Sequence, residues 1–256
     1  MKILLFMHLP KTGGITIHNL LVNFFDESKV CKERHNKLHL LNKEEIEFYS
    51  FFSGHYDISA IKKYIPNSKQ IITILREPKK RILSAYYFAK SHRKDFIDNF
   101  PEFSNSPYCY NYHGMNRAAK ENNLKDYLYN EKKYLKEKMT RLIGADVKEN
   151  EDISNRAKKN LEGFKFVGIM KEMETTISSL FLELGLPPPQ TTPKYLAFER
   201  LHQEYSHCEK IEKEELTLEI EELLEEITNT DMKLYQFEKQ IFNKCIIKYE
   251  IVENYK

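Results

Sequence analysis

The 256-residue sequence predicts an α/β fold with a central parallel sheet. Three observations carry that prediction. Four short runs, residues 2–8, Phe51-Phe52-Ser53, Gln70 to Leu75 and Phe164 to Ile169, are rich in apolar residues that follow one another instead of alternating, as strands buried on both faces require. Helical apolar spacing fills the intervals between them. The first run also ends in a glycine-bearing turn that opens directly into a helical pattern.

Taken in order, Ile3-Leu4-Leu5-Phe6-Met7 is the first strand and Pro10-Lys11-Thr12-Gly13-Gly14 its turn. Ile15, Ile17, Leu20, Leu21, Phe24 and Phe25 then set a helix. Residues 90–140 are rich in Tyr, Asn and Lys, with Pro101 and Pro107 as breakers and helical stretches at 117–130 and 131–143. That length exceeds an ordinary connection and reads as an insertion covering a site. Ile177, Leu180, Phe181 and Leu184 form a helix ending at Gly185, and Pro187-Pro188-Pro189 breaks the chain. Residues 209–227 are dense in Glu, with Ile211, Leu216, Ile220, Leu223, Leu224 and Ile227 on one face. They predict an amphipathic helix with a solvated acidic side. Asn229 or Thr230 is placed to cap a further helix over 231–248.

The length fits a single domain over 1–256 with a sizeable core. A net charge of +2 gives no global basic field, so no nucleic-acid partner is expected. No apolar stretch approaches the ~20 residues that span a bilayer, and no secretory signal opens the chain. The expected location is cytoplasmic, with no membrane partner, and the oligomeric state is open. Cys31, Cys109, Cys208 and Cys245 form no C-x-x-C pair, which points to free thiols in a reducing compartment. His35 and His39 stand four apart without the Glu of a metalloprotease helix, and no metal is expected.

Strand, glycine turn and helix together present backbone N–H groups and a helix N-terminus to an anion, and Lys11 adds a positive charge. Alone, the turn reads equally well as an ordinary strand-to-helix connection. It is not a Walker A loop, because Lys11 precedes the glycines and no Gly-Lys-[Ser/Thr] end exists. A second anion site follows the 70–75 strand, in Arg76-Glu77-Pro78-Lys79-Lys80-Arg81-Ile82-Leu83-Ser84-Ala85-Tyr86-Tyr87. Pro78 suits a helix first turn. Arg76 at the strand end can grip a phosphate in two prongs, and Ser84 two turns on can add a hydroxyl. Singly, each also reads as a surface Arg and a helical Ser bonded to its own backbone. Two anion sites at neighbouring strand ends suggest one ligand with two separated phosphates, such as a 3′,5′-bisphosphorylated nucleotide.

Leu9-Pro10-Lys11-Thr12-Gly13-Gly14 and Leu75-Arg76-Glu77-Pro78 with Ser84-Ala85-Tyr86-Tyr87 resemble the carbohydrate sulfotransferases, most closely the heparan sulfate 2-O-sulfotransferase-like branch and its bacterial relatives. Weaker echoes are Met139-Thr140-Arg141, Phe166-Val167-Gly168 and Asp231 with Leu234-Tyr235. The resemblance covers most of the chain and is diffuse between about 90 and 135. It implies a three-layer P-loop NTPase-like sulfotransferase fold and sulfuryl transfer from 3′-phosphoadenosine 5′-phosphosulfate (PAPS) to a carbohydrate-type hydroxyl, with adenosine 3′,5′-bisphosphate (PAP) as product. It assigns the 5′-phosphosulfate to Lys11, Thr12, Gly13, Gly14, Ile15 and Thr16, and the 3′-phosphate to Arg76 and Ser84. The resemblance further implies Arg141 and the Thr191-Thr192-Pro193-Lys194 loop as nucleotide contacts. Ile15 departs from the pattern, since relatives commonly carry Thr or Ser there; Thr12 and Thr16 are the available substitutes.

Transfer to an alcohol needs a base. Of nine histidines, His55 is the best placed, after Gly54 at a predicted strand end. It matches the Gly-His position that supplies the base in the 2-O-sulfotransferase branch. Spacing alone also allows a loop or core histidine. His8 reads as a buried neighbour of the turn, and His113, near Tyr108, Tyr110 and Tyr112, as an acceptor contact. Lys90, His92, Arg93 and Lys94 read either as attraction for an acidic glycan or as a solvated basic face. Two other functions fit the phosphate sites: a nucleotide-dependent kinase, which lacks its Gly-Lys-[Ser/Thr] loop here, and a non-catalytic nucleotide-binding protein.

Overall fold

A computed structural model of the chain describes residues 3–66, 68, 70–99, 116–191 and 201–254, without the side chains at 99, 201, 245 and 247–254. Pro101, Pro107, Cys109, His113, the three neighbouring tyrosines and Thr192 to Lys194 lie outside the described residues.

Four strands, β1 (Leu4–Met7), β2 (Phe51–Gly54), β3 (Gln70–Leu75) and β4 (Phe166–Ile169), form one sheet in the order β2-β1-β3-β4. All pairings are parallel, and helices flank the sheet, as the sequence predicts. The continuous apolar runs explain the burial: apart from half-buried Gln70, every strand residue is buried. β3 matches its apolar run, β2 runs one residue further to Gly54, and β1 and β4 are shorter than the runs 2–8 and Phe164 to Ile169.

Local capping sets several helix starts. Asn42 and Glu45 form a reciprocal capping box for Lys43–Phe48. Asp57 caps Ile58–Tyr64 and Asp152 caps Ile153–Glu162. Gly185, at φ 70°, ends Met173–Leu184 as expected.

The chain divides into two compact units. The first comprises 1–77, 139–193 and 230–256 and contains the sheet; the second comprises 78–138 and 194–229. The sheet's core includes Leu5, Phe6, Phe52, Ile72, Leu75, Ile169 and Phe181. The second unit has its own core, with Tyr86, Leu124, Tyr127, Leu128, Leu224 and Ile227.

Three expectations about helices are corrected. Residues 209–227 and 231–248 are not two helices: 209–217 is non-helical, and one helix runs Leu218–Asn254. The expected caps, Asn229 and Thr230, sit inside that helix. Nearby, the Thr228 hydroxyl donates to the Leu224 carbonyl, and Asp231 spends its carboxylate on another helix. The Glu run is also not uniformly surface. Glu214 accepts from the Tyr86 hydroxyl and from the Leu124 N–H at 2.8 Å, and pairs with Lys90. Burial alone would raise its pKa, but these partners hold it below the usual range. Finally, the 117–130 and 131–143 stretches are broken. Asn123 caps Leu124–Asn130, and Glu137, in the left-handed region at φ 56°, separates Lys132–Leu135 from Lys138–Ile143.

Among the described residues, no helix is long and apolar enough to cross a membrane.

Candidate functional site

The β1 turn leads into helix α1 (Gly14–Val22), and both lie in the first unit. Lys11 stands in the left-handed region at φ 68°, which is uncommon for a residue with a Cβ. Two bonds hold the turn. The Thr12 hydroxyl donates to the Leu9 carbonyl at 2.8 Å, and the Arg76 guanidinium donates to the Lys11 carbonyl at 3.2 Å. Arg76 thus reaches from the end of β3 to the turn after β1, joining two residues that the sequence placed in separate phosphate sites. Strained backbone at a ligand loop persists only when its surroundings fix it in this way.

The two glycines have different reasons. Gly13 is the α1 N-cap at φ 80°, a conformation that suits glycine. Gly14 lies against the imidazole of His8: a Cβ there would stand 1.9 Å from His8 Cδ2. The first N–H groups of α1 lack intrahelical acceptors by geometry, which is what an anion needs. The Thr16 N–H is turned back to the Gly13 carbonyl at 3.1 Å. The Thr12 hydroxyl faces inward and is fully buried, so it does not replace the hydroxyl lost at Ile15. Thr16 is buried, while Ile15 is half-buried.

Strand register sets the second part of the site. Met7 pairs with Gly54, and the His8 N–H continues the ladder to the Gly54 carbonyl at 2.8 Å. His55 is therefore brought beside His8, with ring centroids 4.4 Å apart. The His55 Nδ1 lies 2.7 Å from the His8 carbonyl. A carbonyl only accepts, so Nδ1 carries the proton and Nε2 keeps its lone pair. Burial lowers the His55 pKa to about 4, against the opposing pull of that carbonyl, with His35 and Arg34 lowering it further. The imidazole is neutral at neutral pH, the form a base requires.

Other basic groups crowd the same strand ends. Burial holds the His8 pKa well below its ordinary value, and His55, Arg34, His18 and Lys11 add to the effect. His18, on α1, is lowered to about 4 by burial and by Arg34. Sequence reading missed Arg34. Its side chain donates to the Ser53 carbonyl at 2.9 Å, and its own carbonyl accepts the His55 N–H at 2.8 Å. Nothing in its sequence neighbourhood marks it, because a loop delivers it to the end of β2. This concentration of positive and potentially positive groups is what an anionic ligand would relieve.

Asp231 is the other residue whose role the structure reveals. Buried in the Leu218–Asn254 helix, it accepts the Met139 N–H at 3.1 Å and the Thr140 N–H and hydroxyl, each at 2.8 Å. It caps the short helix that carries half-buried Arg141. Met139, Thr140 and Asp231, noted as separate echoes in the sequence, are one hydrogen-bonded group. Glu238, about two turns further along that helix, is fully buried; burial pushes its carboxyl well above the usual range, opposed by the Leu75 N–H.

Ser84 belongs to the second unit, half-buried on the helix Pro78–Lys90. The basic cluster 90–94 in that unit is largely neutralised internally. Lys90 bonds the Tyr86 hydroxyl and the Asn122 carbonyl, Arg93 grips Asp95 in two prongs, and Lys94 pairs with Asp98. His92 is buried. Arg93 and Lys94 stay exposed, each paired with a neighbouring acid.

A model described as the sulfotransferase family matches residues 2–238. Over 88 residues the chain is 34% identical to a protein-tyrosine sulfotransferase of Arabidopsis thaliana, a match covering 34% of this chain and 17% of that relative. The chain thus spans only a small part of the length of the curated relative it matches.

Proposed function

This chain belongs to the sulfotransferase family, and from that premise we propose that it moves a sulfuryl group from PAPS to a carbohydrate-type hydroxyl with His55 as general base. Family membership supports sulfuryl transfer as the reaction and implies PAPS as the donor. The observation that carries the finer reading is the pairing of a Lys11 turn pinned by Arg76 with a neutral His55 whose Nδ1 is held by the His8 carbonyl.

In this mechanism the acceptor oxygen attacks sulfur while Nε2 of His55 takes its proton. The bond between sulfur and the bridging oxygen of the 5′-phosphate breaks, and that oxygen leaves with the electron pair on PAP. Lys11 balances the charge developing there, where preorganised cations act most strongly. Backbone N–H groups from Thr12 to Ile15 receive the 5′-phosphate, with Thr16 at the edge of that cradle. Arg76 takes the 3′-phosphate. Ser84 keeps its 3′-phosphate role, and Arg141 its nucleotide contact, from the sequence motifs. A donor bearing several negative charges would also raise the depressed His55 pKa, making the imidazole a stronger base in the ternary complex.

A tyrosine hydroxyl is the second reading for the acceptor, favoured by the match to a protein-tyrosine sulfotransferase. Calorimetry with PAP, and with ATP plus Mg²⁺, tests the donor; turnover of PAPS against sugar and tyrosine-peptide panels tests the acceptor. His55→Ala should cost about 10²–10⁴ in turnover and leave PAP affinity nearly unchanged, whereas Lys11→Ala should lose both. Full activity in His55→Ala removes it as the base. Equal binding of ATP and PAP sinks the bisphosphate reading, and PAP binding without any turnover makes the protein a binder.

A further inference from the structure

We propose that His92, His207 and Cys208 form a divalent-metal site suited to zinc, inside the second unit. None of these residues belongs to the donor site described above. Their candidate ligand atoms all lie within 4.8 Å of one another. His92 and Cys208 are buried, and Cys208 is a thiol, not half of a disulfide. Two imidazole nitrogens and one thiolate make a borderline-soft donor set, which matches zinc better than calcium or magnesium.

The backbone brings these residues together before any metal arrives. His92 and Cys208 face each other in an antiparallel bridge. On either side, the Arg93 N–H donates to the His207 carbonyl at 2.9 Å and the Glu209 N–H to the Ser91 carbonyl at 2.7 Å. Only side-chain torsions remain to be set. Tetrahedral zinc, with bonds of about 2.0–2.3 Å, places its ligand atoms roughly 3.3–3.8 Å apart. Closure by about 1 Å therefore suffices.

The His92 ring is already oriented for this role. Its Nδ1 lies 3.2 Å from the Ala89 carbonyl, so that nitrogen carries the proton and Nε2 offers its lone pair. Metal-binding histidines use such an outer partner to fix tautomer and ring plane. The His207 ring is stacked on Phe96, with centroids 4.4 Å apart, and on His92 at 5.6 Å. A cavity of about 400 Å³ reaches Ser91 and Glu209, the chain neighbours of His92 and Cys208. Binding replaces the S–H bond of Cys208 by a metal–sulfur bond and releases that proton to solvent. The histidines bind neutral, and no electron is transferred. The site would clip the chain after the Pro78–Lys90 helix to the Tyr205–Glu209 segment.

The test uses the untagged full-length protein, stripped with chelator and titrated with Co²⁺ and then Zn²⁺. One Co²⁺ per chain should bind with a thiolate-to-cobalt charge-transfer band, and Zn²⁺ should displace it and raise the melting temperature. Calorimetry in buffers of different ionisation enthalpy should show about one proton released per metal. Cys208→Ser should abolish the band, while Cys31→Ser, at another buried thiol, should keep it. His92→Gln and His207→Gln should each lower zinc affinity by at least about 100-fold, beyond the 10–100-fold that outer partners cost. The site is overturned if the wild-type protein shows no charge-transfer band, if the band survives Cys208→Ser, or if His207→Gln binds zinc as tightly as wild type. Should buried Cys208→Ser fail to fold, the wild-type spectrum and the half-buried His207→Gln decide the matter.

Discussion

Removing the Asp231 carboxylate should loosen the helix that carries Arg141. The magnitude follows from three bonds. Asp231 is 1% exposed; its Oδ2 holds the Met139 N–H, and its Oδ1 holds both the N–H and the hydroxyl of Thr140. Asp231→Ala leaves two buried N–H groups without this acceptor, each costing about 1–3 kcal/mol. The Thr140 hydroxyl can turn to a neighbouring carbonyl and adds least. The loss of a single helix cap is typically about 1 kcal/mol, so a total of about 3–4 kcal/mol is expected for this doubly bonded, buried cap. Asp231→Asn is the internal control. Its amide oxygen can keep both Thr140 bonds, while its NH₂ opposes the Met139 N–H, for a loss of about 1–2 kcal/mol. Urea unfolding should therefore rank wild type above Asn and Asn above Ala. PAP affinity should fall in the same order if Arg141 touches the nucleotide. An Ala variant within about 1 kcal/mol of wild type, or an Asn variant as damaged as Ala, would refute the capping argument.

Gly14→Ala would place a Cβ 1.9 Å from a buried His8 ring that lies between Phe6 and His55. Overpacking should cost about 1–3 kcal/mol in a thermal melt and reduce turnover, because the His8 carbonyl orients His55; a variant as stable and active as wild type contradicts this. Acid should destabilise the protein through its histidines. His18 and His55 titrate near 4 when folded and at 6.5 as free histidine, so the unfolded chain binds protons that the folded chain refuses. Stability is then fully present above about pH 6.5 and falls toward pH 4, by at most about 3 kcal/mol per histidine and less after solvent screening. Urea midpoints that stay level across this window would exclude the effect. Arg76→Ala should weaken PAP binding more than AMP binding, since only PAP carries a 3′-phosphate; equal losses in calorimetry would instead indicate that Arg76 acts through the Lys11 carbonyl.

Local chemistry was readable where one stretch of chain supplies everything the feature needs. Continuous apolar runs marked all four strands, and the Lys11 turn declared itself by following the first of them. Pro78 and Gly185 marked a helix start and a helix end because their backbone preferences act on their own residues. Reading failed where a side chain serves a distant partner. Asn229 and Thr230 looked like caps and sit mid-helix, while Asp231 caps a helix 91 residues away in sequence. Glu214 looked like one acid in a solvated run, yet it joins Tyr86, Lys90 and Leu124. The Thr12 hydroxyl looked like a substitute for the one missing at Ile15, but it closes its own turn.

The sequence by itself determined the α/β class, the glycine-bearing turn after the first strand and the family, because hydrophobic period and turn chemistry are written within a few consecutive residues. Only the tertiary structure decided which groups share the site. The parallel register of β1 and β2 puts His55 on the His8 carbonyl, the end of β3 sends Arg76 to the Lys11 turn, and a loop brings Arg34 beside them. Those partners come from segments tens of residues apart, and nothing local to any one segment records where pairing and burial will set the others.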